Sequence, residues 1–376
     1  MKIVFLCGSL EPGRDGVGDY VRRLGVELQQ HGHQVHAIAL NDRYATVEVA
    51  ENQKTPQGEL PTLRLAATTA ANVRFARAKQ WLEKIDPDWL SLQFVSYSFQ
   101  AKGLPFNLGS NLHSIGQGRR WHVMMHELWI GMSTDAPMHH VWLAKLQRLV
   151  IKRLLSQLSP EVITTQTLLY QAHLAKLGFT SLLLPLFSNI SNSAAGHSLH
   201  IPERSHSSQA RDVSLILFGF IHPGAPVEQL ALEAAQFAKR RQVLVTLTMV
   251  GRCGSEQDRW VKCWKDVGLP VKILGEQSPE TISTVLLEAS LGIVTTPALL
   301  LGKSGTAAAM REHGLPILCV AAPWHPRGFE GLSRADGRLI YQEGNFESYL
   351  AAKPDSEIVR LPDIAKLLTE SFLASI

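Results

Sequence analysis

Apolar runs of strand length alternate with stretches of helical period from the first residues to about residue 186. Strands are predicted at 2–8, 33–40, 89–95, 121–126, 161–165 and 181–186. Continuous apolar runs mark strands covered on both faces, and helical stretches between them give the pattern of a doubly wound parallel sheet. Residues 189–212 turn polar and rich in Ser, His and Asn, which reads as a domain boundary. A second series follows, with strands at 213–218, 243–250, 271–274, 291–295 and 316–320 and helices at 227–239, 256–267, 280–289 and 305–313. The predicted division is a Rossmann-like domain over 1–190, a linker over 191–212, a second Rossmann-like domain over 213–360, and a final helix within 361–376 that folds back on the first domain. Open α/β sheets bind ligands at the carboxyl ends of their strands, so two such domains are expected to face each other across a cleft.

A length of 376 residues agrees with two cores, since a single core seldom grows beyond about 250–300 residues. With 45% apolar and 19% charged residues the chain is globular rather than disordered, and a formal charge of +4 is too mild to argue for nucleic acid. Cys7, Cys253, Cys263 and Cys319 lie singly in or beside apolar segments, without metal-ligand spacing, and read as reduced core thiols. The apolar start ends at Gly8, too short for a signal peptide, and no run approaches the ~18 apolar residues of a membrane span. A cytoplasmic protein is expected. Peripheral contact with the inner face of a membrane is a further expectation from the helix at 143–158. It sets Leu143, Leu146, Val150, Leu154 and Leu158 on one face and Lys145, Arg148, Lys152 and Arg153 elsewhere. A basic amphipathic helix suits anionic lipid, and the same stripe is what a helix packed on a sheet displays.

The loop after the first strand carries Gly13, Asp15, Gly16 and Gly18. Gly16 and Gly18 let a ligand approach the backbone, and the free N–H groups opening the next helix favour phosphate. A dinucleotide fingerprint fits poorly, because the glycine pair comes late and Val21 holds the third glycine position; Asp42 stands where a ribose-binding acid belongs. Lys303, Ser304, Gly305 and Thr306 open a later helix and offer a diphosphate one cation, two hydroxyls and backbone donors. The segment 297–304 is no P-loop, since Pro297 replaces the first glycine. His126 ends a strand beside Glu127, and Ile130 excludes a zinc-protease helix. The D-x-D pair Asp86 and Asp88 precedes its strand, at the wrong edge of the sheet for a ligand site, and no metal is expected. The stretch 128–140 is long, with Trp129, Met132 and His139 read as exposed.

Taken in order, these segments resemble the family 4 glycosyltransferases, retaining enzymes of the GT-B fold, over essentially the whole chain. DGVGDYVRRLGVELQQHGHQVHAIAL is similar to their opening loop, helix and strand; WHVMMHE, LFGFIHPGAP, MVGRCG, VKILGE and REHGLPIL follow in the family's order. The resemblance implies a nucleotide-sugar donor on the second domain, an acceptor on the first, to whose side it gives the stretch 128–140, and no cofactor. It places His126 at the donor sugar, Glu127 in ordering the site or the acceptor, and Arg252 and Glu276 at the nucleoside base. Gly16, Gly18, Gly219, His222, Lys303, Ser304, Gly305 and Thr306 become the donor-binding set. The family's Arg and Lys in the loop opening the donor domain are absent from Gly219, Phe220, Ile221, His222, Pro223, Gly224 and Ala225, where His222 alone can become cationic. Its two glutamates fall near Leu300 and Ala308. The expected activity is transfer of a hexose from a nucleotide sugar, foremost UDP-glucose or another UDP-sugar, to a glycan or lipid-linked acceptor with retention. The alternative is a non-catalytic nucleotide-sugar or partner-binding module that kept the fold.

Overall fold

Buried apolar ladders build the molecule, because a run such as KIVFLC can satisfy its backbone only by pairing on both sides while covered on both faces. A computed structural model describes residues 1–192, 212–329, 339–354 and 358–375. The chain forms two compact units: unit 1 from the described residues of Met1–Pro185, His325–Glu330 and Leu361–Ile376, unit 2 from those of Leu186–Trp324 and Gly331–Arg360. Of the expected linker at 191–212, all but residues 191, 192 and 212 lie outside the described residues.

The sheet of unit 1 contains β1 (Lys2–Cys7), β2 (Gln34–Asp42), β3 (Val49–Thr55), β4 (Gly58–Ala66), β5 (Trp89–Phe94), β6 (Arg120–Met125), β7 (Val162–Thr165) and β8 (Leu182–Leu183) in the order β3-β4-β2-β1-β5-β6-β7-β8. Its helices are α1 (Gly16–Gln30), α2 (Ala71–Ile85), α3 (Ser96–Phe99), α4 (Leu108–Ile115), α5 (Met138–Leu158) and α6 (Leu168–Lys176). All neighbours run parallel except β3 and β4, an antiparallel hairpin closed at Thr55 and Gly58. This hairpin adds, at the edge of an otherwise parallel sheet, two strands that the sequence reading did not place. It was hidden because VAENQKT is polar and exposed along most of its length and because β4 contains Pro61, which argues against a strand.

Two further expectations are corrected in unit 1. Trp129 and Met132 are buried. The Trp129 ring lies under the Arg148 guanidinium at 4.8 Å and against the His173 ring at 4.9 Å. In α5 the buried row is Ala144, Gln147, Val150, Ile151, Leu154, Leu155 and Leu158, so the predicted stripe divides, with Leu146 turned outward.

The sheet of unit 2 holds β9 (Val213–Phe218), β10 (Val245–Val250), β11 (Val271–Gly275), β12 (Leu291–Val294), β13 (Ile317–Cys319) and β14 (Leu339–Ile340), ordered β11-β10-β9-β12-β13-β14 and parallel throughout. Between them run α7 (Val227–Arg241), α8 (Gln257–Asp266), α9 (Pro279–Glu288), a 3-10 turn (Ala298–Lys303) and α10 (Gly305–Glu312), and α11 (Phe346–Leu350) follows β14. Alternate strand residues feed two cores. Leu215, Leu217, Leu247, Met249 and Ile293 join Trp260, Trp264 and the apolar side of α7, whereas Ile216, Val250 and Val294 join Leu286, Ala307 and Met310. Helices therefore cover both faces of the sheet. The final helix, α12 (Leu361–Leu373), packs on α1 of unit 1, where Phe372 stacks on Trp89 with ring centroids 4.2 Å apart and planes 9° from parallel.

Candidate functional site

His126 follows the last residue of β6, and its N–H donates to Phe94 O of β5 at 3.2 Å, so the ladder fixes the backbone up to the ring. The ring Nε2 lies 2.8 Å from Gln93 Oε1, an obligatory acceptor, which places the proton on Nε2 and leaves Nδ1 to accept from Gln166 Nε2 at 3.5 Å. Gln93 Nε2 donates to Ser91 Oγ at 2.8 Å. The Ser91 hydroxyl is then the donor to His122 Nδ1 at 2.7 Å, and His122 Nε2 donates to Thr164 Oγ1 at 2.8 Å. Each of these side chains is buried, and from Gln93 through Ser91 and His122 to Thr164 the bonds run in one direction with His122 neutral. Burial, with His126 nearby, pushes the His122 pKa down to about 3. Tyr20 of α1 sets its ring edge-on to His126, centroids 5.0 Å apart at 81°. Glu127 is half-buried at the next position. Sequence reasoning singled out His126 but not its hydrogen-bond partners. Their signal was the polar Ser91, Gln93 and His122 inside apolar strands, where a buried polar group needs a mate.

The loop before α1 is closed by its own carboxylates. Asp15 caps the helix, accepting from the Val17 and Gly18 N–H groups at 2.9 and 3.1 Å, and Asp19 accepts from Gly13 N–H at 3.1 Å while pairing with Arg22. A negative group thus already occupies the position that a phosphate takes at a helix N-terminus. Gly18 serves packing, since a Cβ there would stand 2.7 Å from Ser9 O; at Gly16 a Cβ would meet nothing within 4 Å. Asp42 is fully buried and accepts from Ser9 Oγ, Leu10 N, Tyr44 N and Arg64 Nε at 2.8–3.1 Å. Burial pushes its carboxyl up, and the bonds from Arg64, Leu10 and Tyr44 outweigh this and hold it below the ordinary range. It ties the loop to the sheet, and its oxygens are spent there rather than on a ribose. Asp88 accepts from Lys2 N at 2.7 Å and Asp86 pairs with Arg119, so this D-x-D serves the turn before β5.

The 128–140 stretch is held by residues 325–329. Thr134 N–H donates to His325 O at 2.9 Å and Arg327 N–H to Met132 O at 2.7 Å, while Lys176 reaches Gly328 O at 2.6 Å and lies 3.7 Å from the centre of the Phe329 ring. His139 is exposed, as expected.

In unit 2 three adjacent strands lead into glycines with positive φ: Gly275 (64°) closes β11, Gly251 (85°) follows β10 and Gly219 (81°) follows β9. Gly251 N–H donates to Gly275 O at 2.7 Å and Gly219 N–H to Val250 O at 2.8 Å, which joins them into a rim without side chains. Only glycine takes this conformation without strain. A Cβ on Gly219 would lie 3.0 Å from Thr306 Cγ2, so the rim abuts the N-terminus of α10. There Ser304 Oγ accepts from Ala307 N–H at 3.3 Å and bonds Thr306 Oγ1 at 2.9 Å, while space is open around Gly305. The Gly305 and Thr306 N–H groups, first in the helix, have no acceptor within it. His222 N–H donates to Thr295 Oγ1 at 2.8 Å. Burial and the charge of Lys303 push the His222 pKa below its ordinary value, so the ring is neutral near pH 7 and the cation expected in that loop is not supplied. Lys303 is the cation of this cluster. Arg252 and Glu276, each next to a rim glycine, pair with one another and are both more than half exposed. Phe220 is exposed, and its ring stands edge-on to His222 at 5.4 Å. Leu300 lies in the 3-10 turn and Ala308 is buried in α10, so no carboxylate stands at either position. Together the glycine rim leaves room for close approach to the backbone, and the helix start offers the Gly305 and Thr306 N–H groups, two hydroxyls and the Lys303 cation, a set suited to a polyphosphate.

No protein-family model matches the chain, and no curated protein matches it. Solved structures do. Sucrose-phosphate synthase of Thermosynechococcus elongatus aligns at a TM-score of 0.58 and 14% identity, covering 100% of this chain and 91% of that one. HepE of Anabaena aligns at 0.57 and 14%, covering both chains fully. UDP-GlcNAc 2-epimerase of Neisseria meningitidis aligns at 0.53 and 10%, again over both full chains. A synthase and an epimerase stand among these neighbours, so the likeness speaks for the fold and not for an activity. At such identities the likeness concerns architecture, and by that measure the two Rossmann-like units are those of the GT-B fold.

Proposed function

We propose that the chain is a glycosyltransferase moving a hexose from a nucleotide sugar to a hydroxyl of a glycan or lipid-linked acceptor, with retention of configuration. The observation that carries this reading is the convergence on unit 2 of the bare Gly219 rim, the open N–H groups of Gly305 and Thr306, and Lys303. A UDP-sugar is proposed first because HepE, of the same fold, was crystallised with UDP and glucose. In the transfer the bond from the anomeric carbon to the phosphate oxygen breaks as the acceptor oxygen bonds that carbon on the same face. The acceptor proton passes to the departing diphosphate. Fixed dipoles and a cation at the leaving phosphate lower the barrier because they are already oriented when charge develops. His126 is proposed to act at the sugar with its ring held by Gln93, and Glu127 to order the acceptor. Arg252 and Glu276 are proposed to read the base. No metal and no cofactor enter the proposal.

Thermal unfolding with UDP, GDP, ADP, dTDP and the matching nucleotide sugars tests the donor site. A ligand at ~100 times its dissociation constant stabilises by about 2.7 kcal/mol, so one nucleotide is expected to raise Tm selectively. No shift with any of them would remove the donor site. The apolar residues at Leu300 and Ala308 favour a second reading, a non-catalytic nucleotide-sugar or partner-binding module. Nucleotide binding without transfer or slow hydrolysis, unaltered by His126→Ala, would select it.

A further inference from the structure

The fold uses only one of two apolar faces on α5. Val150, Ile151, Leu154, Leu155 and Leu158 lie inside, while Met138, Trp142, Leu146 and Leu149 are exposed by 68, 61, 45 and 56%. At about 3.6 residues per turn these four form a stripe along some three turns, opposite the buried row. Single exposed apolar residues are ordinary; an aligned stripe on a helix already packed elsewhere is not. Lys145, Lys152 and Arg153 are exposed along the same side, and Lys145 Nζ lies 3.9 Å from the centre of the Trp142 ring. None of the 21 residues from Met138 to Leu158 is acidic.

The geometry points to this outward face of α5 as a docking surface for a bilayer bearing anionic headgroups. The charge complementarity selects that occupant. Lysine and arginine stems can lie along apolar surface with their heads among phosphates, and an indole favours the boundary between headgroups and chains. Among the described residues no helix is long and apolar enough to cross a membrane, so the contact is that of a helix lying in the interface plane. The inference is independent of the donor site on unit 2.

Flotation of the full chain with vesicles of phosphatidylcholine, with and without phosphatidylglycerol, tests it. Binding is expected only with phosphatidylglycerol and is expected to fall as salt rises. Replacing Lys145, Lys152 and Arg153 by Gln should weaken partition by about fivefold each, on the order of a hundredfold together. The double change Trp142→Ser and Leu149→Ser should abolish flotation without altering Tm or the nucleotide-induced shift, because both side chains are solvent-exposed. Equal binding to neutral vesicles, no binding to either, or indifference to these substitutions would overturn the inference. So would a concentration-dependent dimer dissolved by Leu149→Ser in the absence of lipid, which would give the face to a second copy of the chain. Because the thermal shift is read separately, loss of flotation leaves the glycosyl-transfer proposal standing, and loss of the shift leaves the docking surface.

Discussion

A methyl group at residue 18 would stand 2.7 Å from Ser9 O and 3.2 Å from Leu10 Cα, both backbone atoms, whereas one at residue 16 would meet nothing within 4 Å. Gly18→Ala is therefore expected to destabilise unit 1 by about 1–3 kcal/mol, and Gly16→Ala to change it by less than about 0.5 kcal/mol; urea unfolding midpoints compare the two. His122 gives a pH dependence of defined sign. Its pKa is about 3 in the fold against an ordinary 6.5, so between these values the unfolded chain binds more protons. Stability is then full above about pH 6.5 and falls toward pH 3 at up to about 1.4 kcal/mol per pH unit. In unfolding measured across that range, His122→Asn is expected to flatten the acid-side slope. Some slope should persist, because burial, with Arg148 and Lys176, lowers His173 to about 4. An unchanged slope would show that His122 is not the buried neutral group described. At this scale His126 was legible as a polar residue ending an apolar strand. Its relay was not, because Ser91, His122 and Thr164 come from three strands far apart in the chain and meet only through sheet register.

At the scale of elements, α12 lays an aromatic ring against the sheet of unit 1. Phe372 and Trp89 are both buried and stacked, and His122 meets the Phe372 ring at 5.2 Å. Phe372→Ala is expected to cost about 3–5 kcal/mol, seen as a lower thermal midpoint with the nucleotide-induced shift retained. Strands of continuous apolar residues were legible because a run covered on both faces has few other ways to bury itself. β3 and β4 were not, since cross-strand pairing rather than burial holds a polar strand and Pro61 speaks against its partner. The inner face of α5 was misjudged for a different reason. With apolar residues on opposite sides, periodicity alone cannot say which row packs inward.

For the whole molecule, the order of segments gave two Rossmann-like units and the GT-B class, and of the donor-binding candidates it named all but Gly16 and Gly18 lie in unit 2. What it did not give is the phosphate-binding balance. The rim glycines Gly251 and Gly275 acquire meaning only beside Gly219, and Asp15 closes the α1 loop that glycines alone suggest is open. Hydrogen exchange with saturating UDP is accordingly expected to protect the amides of Gly305 and Thr306 and to leave those of residues 13–18 unchanged. Lys303→Ala is expected to weaken UDP binding by about tenfold to a hundredfold, and unchanged affinity would remove that residue from the site. The route of the chain has its own consequence. Unit 1 takes its first residues from the start of the sequence and α12 from 361–373, with unit 2 spelled between them. On a ribosome, then, unit 1 is begun before unit 2 and completed after it. The slot over Trp89 stays unfilled while the whole of unit 2 is translated, and a message truncated before Phe372 would leave a nascent product with an open aromatic cleft, a natural substrate for chaperones and proteases.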